Sequence, residues 1–444
     1  MSLGRAKRLV LESLLPPRTG SAASGEGPVR GGPSVMEVVP TARAAGRVLA
    51  ASVLAAEDVP GFDRSTVDGY AVRAADTFGA GESAPCLLFE AGQVPMGQQA
   101  GLAVGPGQAV SVPTGGMLPA GADAVVMIEH AVTPGSGLVE VSRPAAPGEN
   151  VVRTGEDVGR GTEVLPAGRR LTPADLGVLA AVGVREVACR RSPLVVVIPT
   201  GDEIIPAASP FCGVGQVRDI TSVALAALIG RDGGEVRVTD IVPDRKEALA
   251  EAVSSALGTG GAAGDRPADL VLILGGSSVG ARDHTAAVIA ELGPPGVLFH
   301  GLALKPGKPT IYGLCGPRRA PVFGLPGHPV SGLVVYSLLA RLALRIVGGE
   351  TLPAWEAASL EETAQPALTA RLATAVSSDQ GRDEYLCVHL FWSKDASAGG
   401  LLAEPVPGKS GLITMLARAD GLVHIPVGRR GLEAGALVEV IPLA

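Results

Sequence analysis

PLVVVIPTGDE, residues 193–203, decides how this chain is read. Leu194 to Ile198 is apolar at every position, as a parallel strand buried on both faces requires. Working outward, SVALAALIG reads as a helix, EVRVTDIV as a strand and DRKEALAEAVSSAL as a helix. DLVLILGG (269–276) is a second buried strand, HTAAVIAEL a helix, APVFGLPG a strand and PVSGLVVYSLLARLALRIV a long helix. Strands alternating with helices over 193–347 predict a three-layer, doubly wound α/β domain. The Gly/Ala stretch 258–264 reads as a loop insertion.

Ligands of open α/β sheets bind beyond the carboxyl ends of the strands. Three junctions there carry unusual loops: PTGDE (199–203), GGSSVGARDH (275–284) and GLPGHPVS (324–331). Their glycines let the backbone approach a ligand, and consecutive N–H groups form anion nests. The backbone candidates are Thr200, Gly201 and Asp202; Gly275, Gly276, Ser277, Ser278 and Gly280; and Gly327 and His328. Asp202, Glu203 and Asp283 add carboxylates, a pairing that suits a metal-bridged phosphate. Any one of these loops is as readily a tight turn with a capping acid; three on one edge are not.

LALKPGKPTIYG (302–313) sets Lys305 and Lys308 three apart, each followed by proline. Proline fixes φ, so the two ammonium groups sit on a stiff loop matched to a multiply charged anion. AEPVPGKS (403–410) imitates a phosphate loop, but Pro405 and Pro407 remove backbone donors such a loop needs, and the match lies outside the α/β region.

The flanks differ in character. Residues 54–149 show short β runs broken by Gly and Pro and predict a β-rich inserted domain. The flanking segments 1–53 and 150–192, which the family resemblance named below implies form one elongated N-terminal domain, begin with an amphipathic first helix preferred to a signal peptide. Within these segments 18–34 reads as a flexible linker, 41–53 as helical, and Thr172, Pro173 and Gly183 as cap, first turn and stop of a helix. Residues 352–444 predict a small C-terminal β-barrel. The whole is a multidomain α+β and α/β chain.

At 444 residues the chain exceeds one core, and 46% hydrophobic residues say that most of it folds. With 3% aromatics and a net charge of −7 it is no base-stacking or nucleic-acid-binding protein. Five scattered cysteines without a CxxC pair read as reduced thiols in the cytoplasm. No apolar run approaches the roughly 20 residues of a membrane span.

Taken in order, STVDGYAVRAADT, PTGGMLPAGADAVVMIEH, RTGEDVGRGTEVLPAG, PTGDEI, GGSSVGARDH, LKPGKP, GLPGHPVSG and ARADGLVHIP resemble the molybdenum insertases, the MoeA-type molybdopterin molybdenumtransferases that include the C-terminal domain of gephyrin. The resemblance covers most of 35–444. It implies an elongated homodimer that inserts molybdate into adenylylated molybdopterin with Mg2+, releasing AMP and finishing the molybdenum cofactor, with other cofactor-biosynthesis proteins as further partners. By resemblance Lys305, Lys308, Pro309, Ser331, Arg382 and Ser410 surround the molybdate. Asp283 matches the acid needed for hydrolysis and Glu203 a further functional position; the two are the metal candidates, with metal holding and water orientation open between them. Asp68, Thr114 and Asp157 are further functional positions, and Asp68 and Thr114 act across the dimer. The chain departs from the family at His328 (usually Asn), Ser277 (Val), Arg218 (Tyr) and Thr221 (Asn), while Asp219 stays. The alternatives are a gephyrin-like scaffold, a specialised tungstate-using paralogue, or an ATP-dependent enzyme using 403–410.

Overall fold

A computed structural model describes residues 1–15, 35–135, 137–259, 266–275, 284–353, 368–379, 381–393 and 400–443. The linker 18–34, most of the 258–264 insertion, and Gly276, Ser277, Ser278, Gly280 and Asp283 lie outside the described residues.

The centre is a six-stranded sheet in the order Glu235–Val238, Leu194–Pro199, Leu270–Leu274, Ala320–Leu325, Ile311–Cys315, Gly296–His300. The first four strands run parallel and the last two antiparallel. The doubly wound α/β reading holds, and Ile311–Cys315 and Gly296–His300 add to it an antiparallel edge that the sequence reading does not include. Leu194–Pro199, Leu270–Leu274 and Ala320–Leu325 are buried at every residue. Alternate side chains feed two cores. Val195, Val197, Leu272 and Phe323 meet the helices Leu3–Leu14, Ile220–Arg231 and Pro329–Val347 on one face. Val196, Ile198, Val271 and Val322 meet Lys246–Ala256 and His284–Glu291 on the other.

The first helix buries Leu3, Ala6, Val10 and Leu14, one face at helical spacing, in the core as the amphipathic reading expects. Pro329–Val347 is long and apolar enough to cross a membrane, but 83% of its apolar window is buried inside the molecule. It includes a π-helical turn at Tyr336–Ala340, where Tyr336 donates to the buried Asp232 at 2.9 Å.

Residues on either side of the inserted segment meet again. Met36–Pro40 pairs antiparallel with Glu186–Arg190, and Val39, Leu49, Leu171, Leu179 and Cys189 share one core. Residues 41–53 are not a helix. A 3-10 turn covers Thr41–Arg43, and Leu49 and Ala50 then donate their N–H groups to Arg169 and Ala188. Those carbonyl partners leave no N–H for a helical ladder. Thr172 and Asp175 form a capping box at Pro173–Ala181, and Gly183 follows at φ +77°. Between these halves stands a second six-stranded sheet, with strands from Gly69 to Val141.

Near the C-terminus Asp383–Trp392, Leu401–Pro405, Leu368–Leu372, Leu437–Pro442 and Gly421–Ile425 pair in that order, and the last pairs back to the first. The result is a closed five-stranded barrel, as predicted. The phosphate-loop look-alike contributes its strand Leu401–Pro405, with Ala403 opposite Leu390. Leu304–Lys305 joins the barrel edge parallel to Asp383–Glu384.

Candidate active site

The three loops predicted at the sheet edge meet where their described residues allow a test. Leu194–Pro199, Leu270–Leu274 and Ala320–Leu325 are neighbours, so their carboxyl ends share one edge. Thr200 donates its N–H and its hydroxyl to Leu274 O at 2.8 and 3.0 Å. Gly275 has φ +99°, and a Cβ there would stand 2.7 Å from Thr200 Oγ1. A Cβ on Gly327 would in turn lie 3.4 Å from Gly275. Glycine is needed at 275, where a positive φ and the Thr200 contact leave no room for a side chain, while at Gly327 a Cβ would only touch its neighbour.

Beside this edge stands an acidic cluster. Asp202 accepts the Asp244 N–H at 3.1 Å. Partial burial, then repulsion from Glu203 and Asp202, pushes the Asp244 carboxyl above its ordinary value, with His284 and the Thr200 hydroxyl opposing. Asp244 is the residue that sequence reasoning missed. It follows Glu235–Val238, and only the parallel pairing of that strand with Leu194–Val197 brings it to Glu203. Among the described residues no three acids, histidines or cysteines are grouped tightly enough to cage a metal alone. A magnesium ion needs no such cage: it takes one or two carboxylates, retains waters and completes its shell with phosphate oxygens. The hard oxygen donors of Glu203 and Asp244 fit that chemistry.

The lysine loop is tied to the barrel. Asp383 N–H donates to Ala303 O at 2.9 Å, and Leu302 N–H closes the loop on Lys308 O at 2.8 Å. Lys305 Nζ lies 3.1 Å from both Glu384 and Asp379. Burial alone would lower its pKa; the two carboxylates raise it. Arg382 immediately precedes the paired residues Asp383 and Glu384. Lys308 is exposed, and Pro309 and Arg382 are half-buried.

A second junction joins the barrel to the long helix. Val330 N–H donates to Ser410 O at 3.1 Å, and Ser410 Oγ lies 3.3 Å from His328 Nδ1. Ser331, in the first turn of this helix, is buried. Gly307 packs on Val335, one turn further along. The lysine loop, the start of the long helix and the barrel therefore abut, and these three elements carry Lys305 and Lys308, His328 and Ser331, and Arg382 and Ser410. His328 stands at the helix start without capping it. Of the other departures, Arg218 donates to Ser209 O at 2.9 Å, and Thr221 lies against Gly332.

Asp68 and Thr114 form a pair on the inserted sheet. Asp68 Oδ1 accepts the Thr114 N–H at 2.7 Å and its hydroxyl at 3.0 Å. The backbone bond first, then the hydroxyl, holds the Asp68 carboxyl below its ordinary value. Asp157 sits on an exposed turn with its N–H on Val59 O at 3.0 Å. Among the described residues no hydrogen bond or ion pair joins these three to the sheet edge.

Comparison with known proteins places this architecture. Residues 1–183 match the MoeA N-terminal region (domains I and II), 196–345 the probable molybdopterin-binding domain, and 369–443 the MoeA C-terminal region (domain IV). Molybdopterin molybdenumtransferase 2 of Mycobacterium tuberculosis is 34% identical over 90% of this chain and 94% of its own. The molybdopterin molybdenumtransferase of Nostoc sp. is 31% identical over 92% of this chain and 88% of its own. A crystal structure of the molybdopterin biosynthesis MoeA protein of Pyrococcus horikoshii superposes with a TM-score of 0.76 at 29% identity, covering 99% of both chains. With matching regions along nearly its full length, the chain belongs to the MoeA family.

Proposed function

We propose that the chain inserts molybdate into adenylylated molybdopterin, releasing AMP and completing the molybdenum cofactor. The observation that carries this reading is the meeting of two kinds of anion site. One is the close-packed backbone of Thr200, Gly275 and Gly327, suited to a phosphate-bearing pterin. The other is the cationic and hydroxyl group of Lys305, Lys308, Arg382, Ser331 and Ser410 at the barrel junction. Molybdate is a tetrahedral dianion, and fixed ammonium, guanidinium and hydroxyl donors match its four oxygens. Pro309 stiffens the loop that carries both lysines.

Glu203 and Asp244, with Asp283, would hold a divalent cation, magnesium, on the phosphoanhydride. Bound there, it would neutralise charge that develops as the anhydride bond breaks. We assign Asp283 the hydrolytic role. The four-part division at 1–53 with 150–192, 54–149, 193–347 and 352–444, and a cytoplasmic homodimer, belong to the same reading. In that dimer Asp68 and Thr114 complete the partner subunit's site, and Asp157 is a further functional position.

The test is AMP release from adenylylated molybdopterin with magnesium, with and without molybdate. Molybdate-dependent release with cofactor formation supports the insertase. Pterin binding without release supports the scaffold reading, and release with tungstate alone supports the tungstate-using paralogue.

A further inference from the structure

Lys305 holds two carboxylates that are not alike. Its Nζ lies 3.1 Å from Glu384 Oε1 and 3.1 Å from Asp379 Oδ2. Glu384 is built into the barrel. Its side chain is 13% exposed, its backbone is paired with Lys305 and with Ile425, and its other oxygen, Oε2, accepts the Ser378 hydroxyl at 2.5 Å. Ser378 is anchored in turn by its N–H on Arg430 O at 2.9 Å. Asp379 has no such support. Its side chain is 75% exposed, and among the described residues Lys305 is the one partner of its carboxylate. Two residues on, Gly381 stands at φ +97°, and a Cβ there would meet nothing within 4 Å. Nothing packs on the turn from that side.

Aiming an ammonium takes one fixed carboxylate, and Glu384 with Ser378 supplies it. Asp379 is then a second acid on a cation that already has a partner. One ammonium between two carboxylates leaves the group with a surplus negative charge. An ammonium has three N–H donors, and two of them face carboxylates here. An anion that comes to Lys305 in this arrangement meets repulsion and a single spare donor. As a tie between segments the Asp379 pair is weak, because exposed ion pairs contribute little to stability. As an occupant of Lys305 it counts for more, since it takes the kind of place that an oxyanion oxygen takes.

We propose that Asp379 is an internal competitor of the oxyanion: its carboxylate occupies Lys305 when no molybdate is bound and leaves when molybdate arrives, and so sets how much molybdate the site requires. This inference rests on the reading of Lys305 as a molybdate ligand. Glu384 stays on Lys305 throughout and keeps the ammonium aimed. Displacing Asp379 breaks one exposed ion pair, returns a donor to the ligand and moves a negative charge away from a dianion. The apparent affinity is lowered by the fraction of chains in which Asp379 has still to leave. Asp379 is therefore a residue that tunes affinity through Lys305.

The experiment is equilibrium dialysis of the full-length chain against radiolabelled molybdate at neutral pH and fixed ionic strength, run as a double-mutant cycle on Lys305 and Asp379. Asp379→Asn keeps the shape and removes the charge, and is expected to bind molybdate at least about threefold more tightly than the unaltered chain. Asp379→Glu keeps the charge and is expected to stay within about twofold of the unaltered chain. Lys305→Ala is expected to bind at least about tenfold more weakly. Adding Asp379→Asn to Lys305→Ala should then change binding by less than about 1.5-fold, because no ammonium remains to compete for. Circular dichroism checks each fold, and Lys305→Gln replaces Lys305→Ala should the latter not fold. If Asp379→Asn binds no more tightly while Lys305→Ala binds more weakly, the competitor is overturned and Lys305 keeps its place at the molybdate. A gain of the same size with and without Lys305, or an equal gain in Asp379→Glu, also overturns it. Binding untouched by Lys305→Ala overturns both the competitor and the reading beneath it.

Discussion

Lys305 is held by Glu384, which is 13% exposed, and by the far more exposed Asp379. Its raised pKa keeps it an ammonium through the neutral range, and the stability this contributes is lost only as pH rises through that raised value. Lys305→Ala is therefore expected to remove one fixed cation while leaving the pterin loops in place. Molybdate needed for half-maximal AMP release should rise at least about tenfold, with pterin affinity changed less than about twofold. An unchanged molybdate titration removes Lys305 from the site. Asp244 makes the opposite electrostatic case. Its carboxyl is raised by burial and by Glu203 and Asp202, so the metal-free fold favours its protonated form. That contribution is fully present below the unfolded pKa and fades as pH rises through the higher folded value. Carboxyl-carbon NMR should show Asp244 titrating above the ordinary aspartate value in the metal-free chain, and moving down in Glu203→Gln. The lysine pair was legible in the sequence because prolines flank both members. Asp244 was not: in TDIVPDR it looks like the end of a strand, and only pairing across the sheet gives it Glu203 as a neighbour.

Strand ends and helix starts decide whether the site exists. Gly275→Ala puts a Cβ against Thr200 Oγ1 and O at a positive φ, so the two strand ends must separate. Pterin affinity should fall at least about tenfold while circular dichroism stays unchanged, because the sheet itself is buried and continuous. Unaltered affinity would show that the close approach of these loops is not needed. Elsewhere the capping box carries a helix. Burial alone would raise the Asp175 pKa, but Arg169 and Thr172 together hold it below its ordinary value. Its stabilisation is present above the unfolded pKa and lost as pH falls through the lower folded one. Thr172→Ala should cost about 1 kcal/mol locally, read as faster amide exchange along Pro173–Ala181. These elements were readable because burial on two faces, or a cap with its proline, leaves a local signature. The stretch 41–53 misled for the converse reason: its apolar residues serve a core with Leu171 and Leu179, and its backbone bonds go to distant partners. The strands Gly296–His300 and Ile311–Cys315 went unread because Gly and Pro surround them and their pairing is antiparallel.

At the scale of the whole molecule, one chain holds two groups of candidate residues that no hydrogen bond or ion pair joins among the described residues. Lys305, Ser331, Arg382 and Ser410 sit on elements that abut at the barrel junction, while Asp68 and Thr114 are joined to each other on the inserted sheet. If the inserted sheet completes the partner's site in a homodimer, inactivating changes in the two groups fall on different halves of each composite site. At limiting molybdate, where the weakened Lys305→Ala site stays nearly empty, Lys305→Ala and Asp68→Ala homodimers should each release little AMP. Co-expressed, they form mixed dimers in which one composite site carries both changes and the other carries neither. With random pairing, half the dimers are mixed and half their sites intact, so AMP release should recover to about a quarter of the unaltered level. Differently tagged subunits allow mixed dimers to be purified, and these should reach about half. No recovery in purified mixed dimers would place Asp68 and Lys305 in the same chain's site. The two groups would then have to meet by a movement of the inserted sheet within one subunit, and size-exclusion with light scattering on the purified chain separates that case from a failure to dimerise.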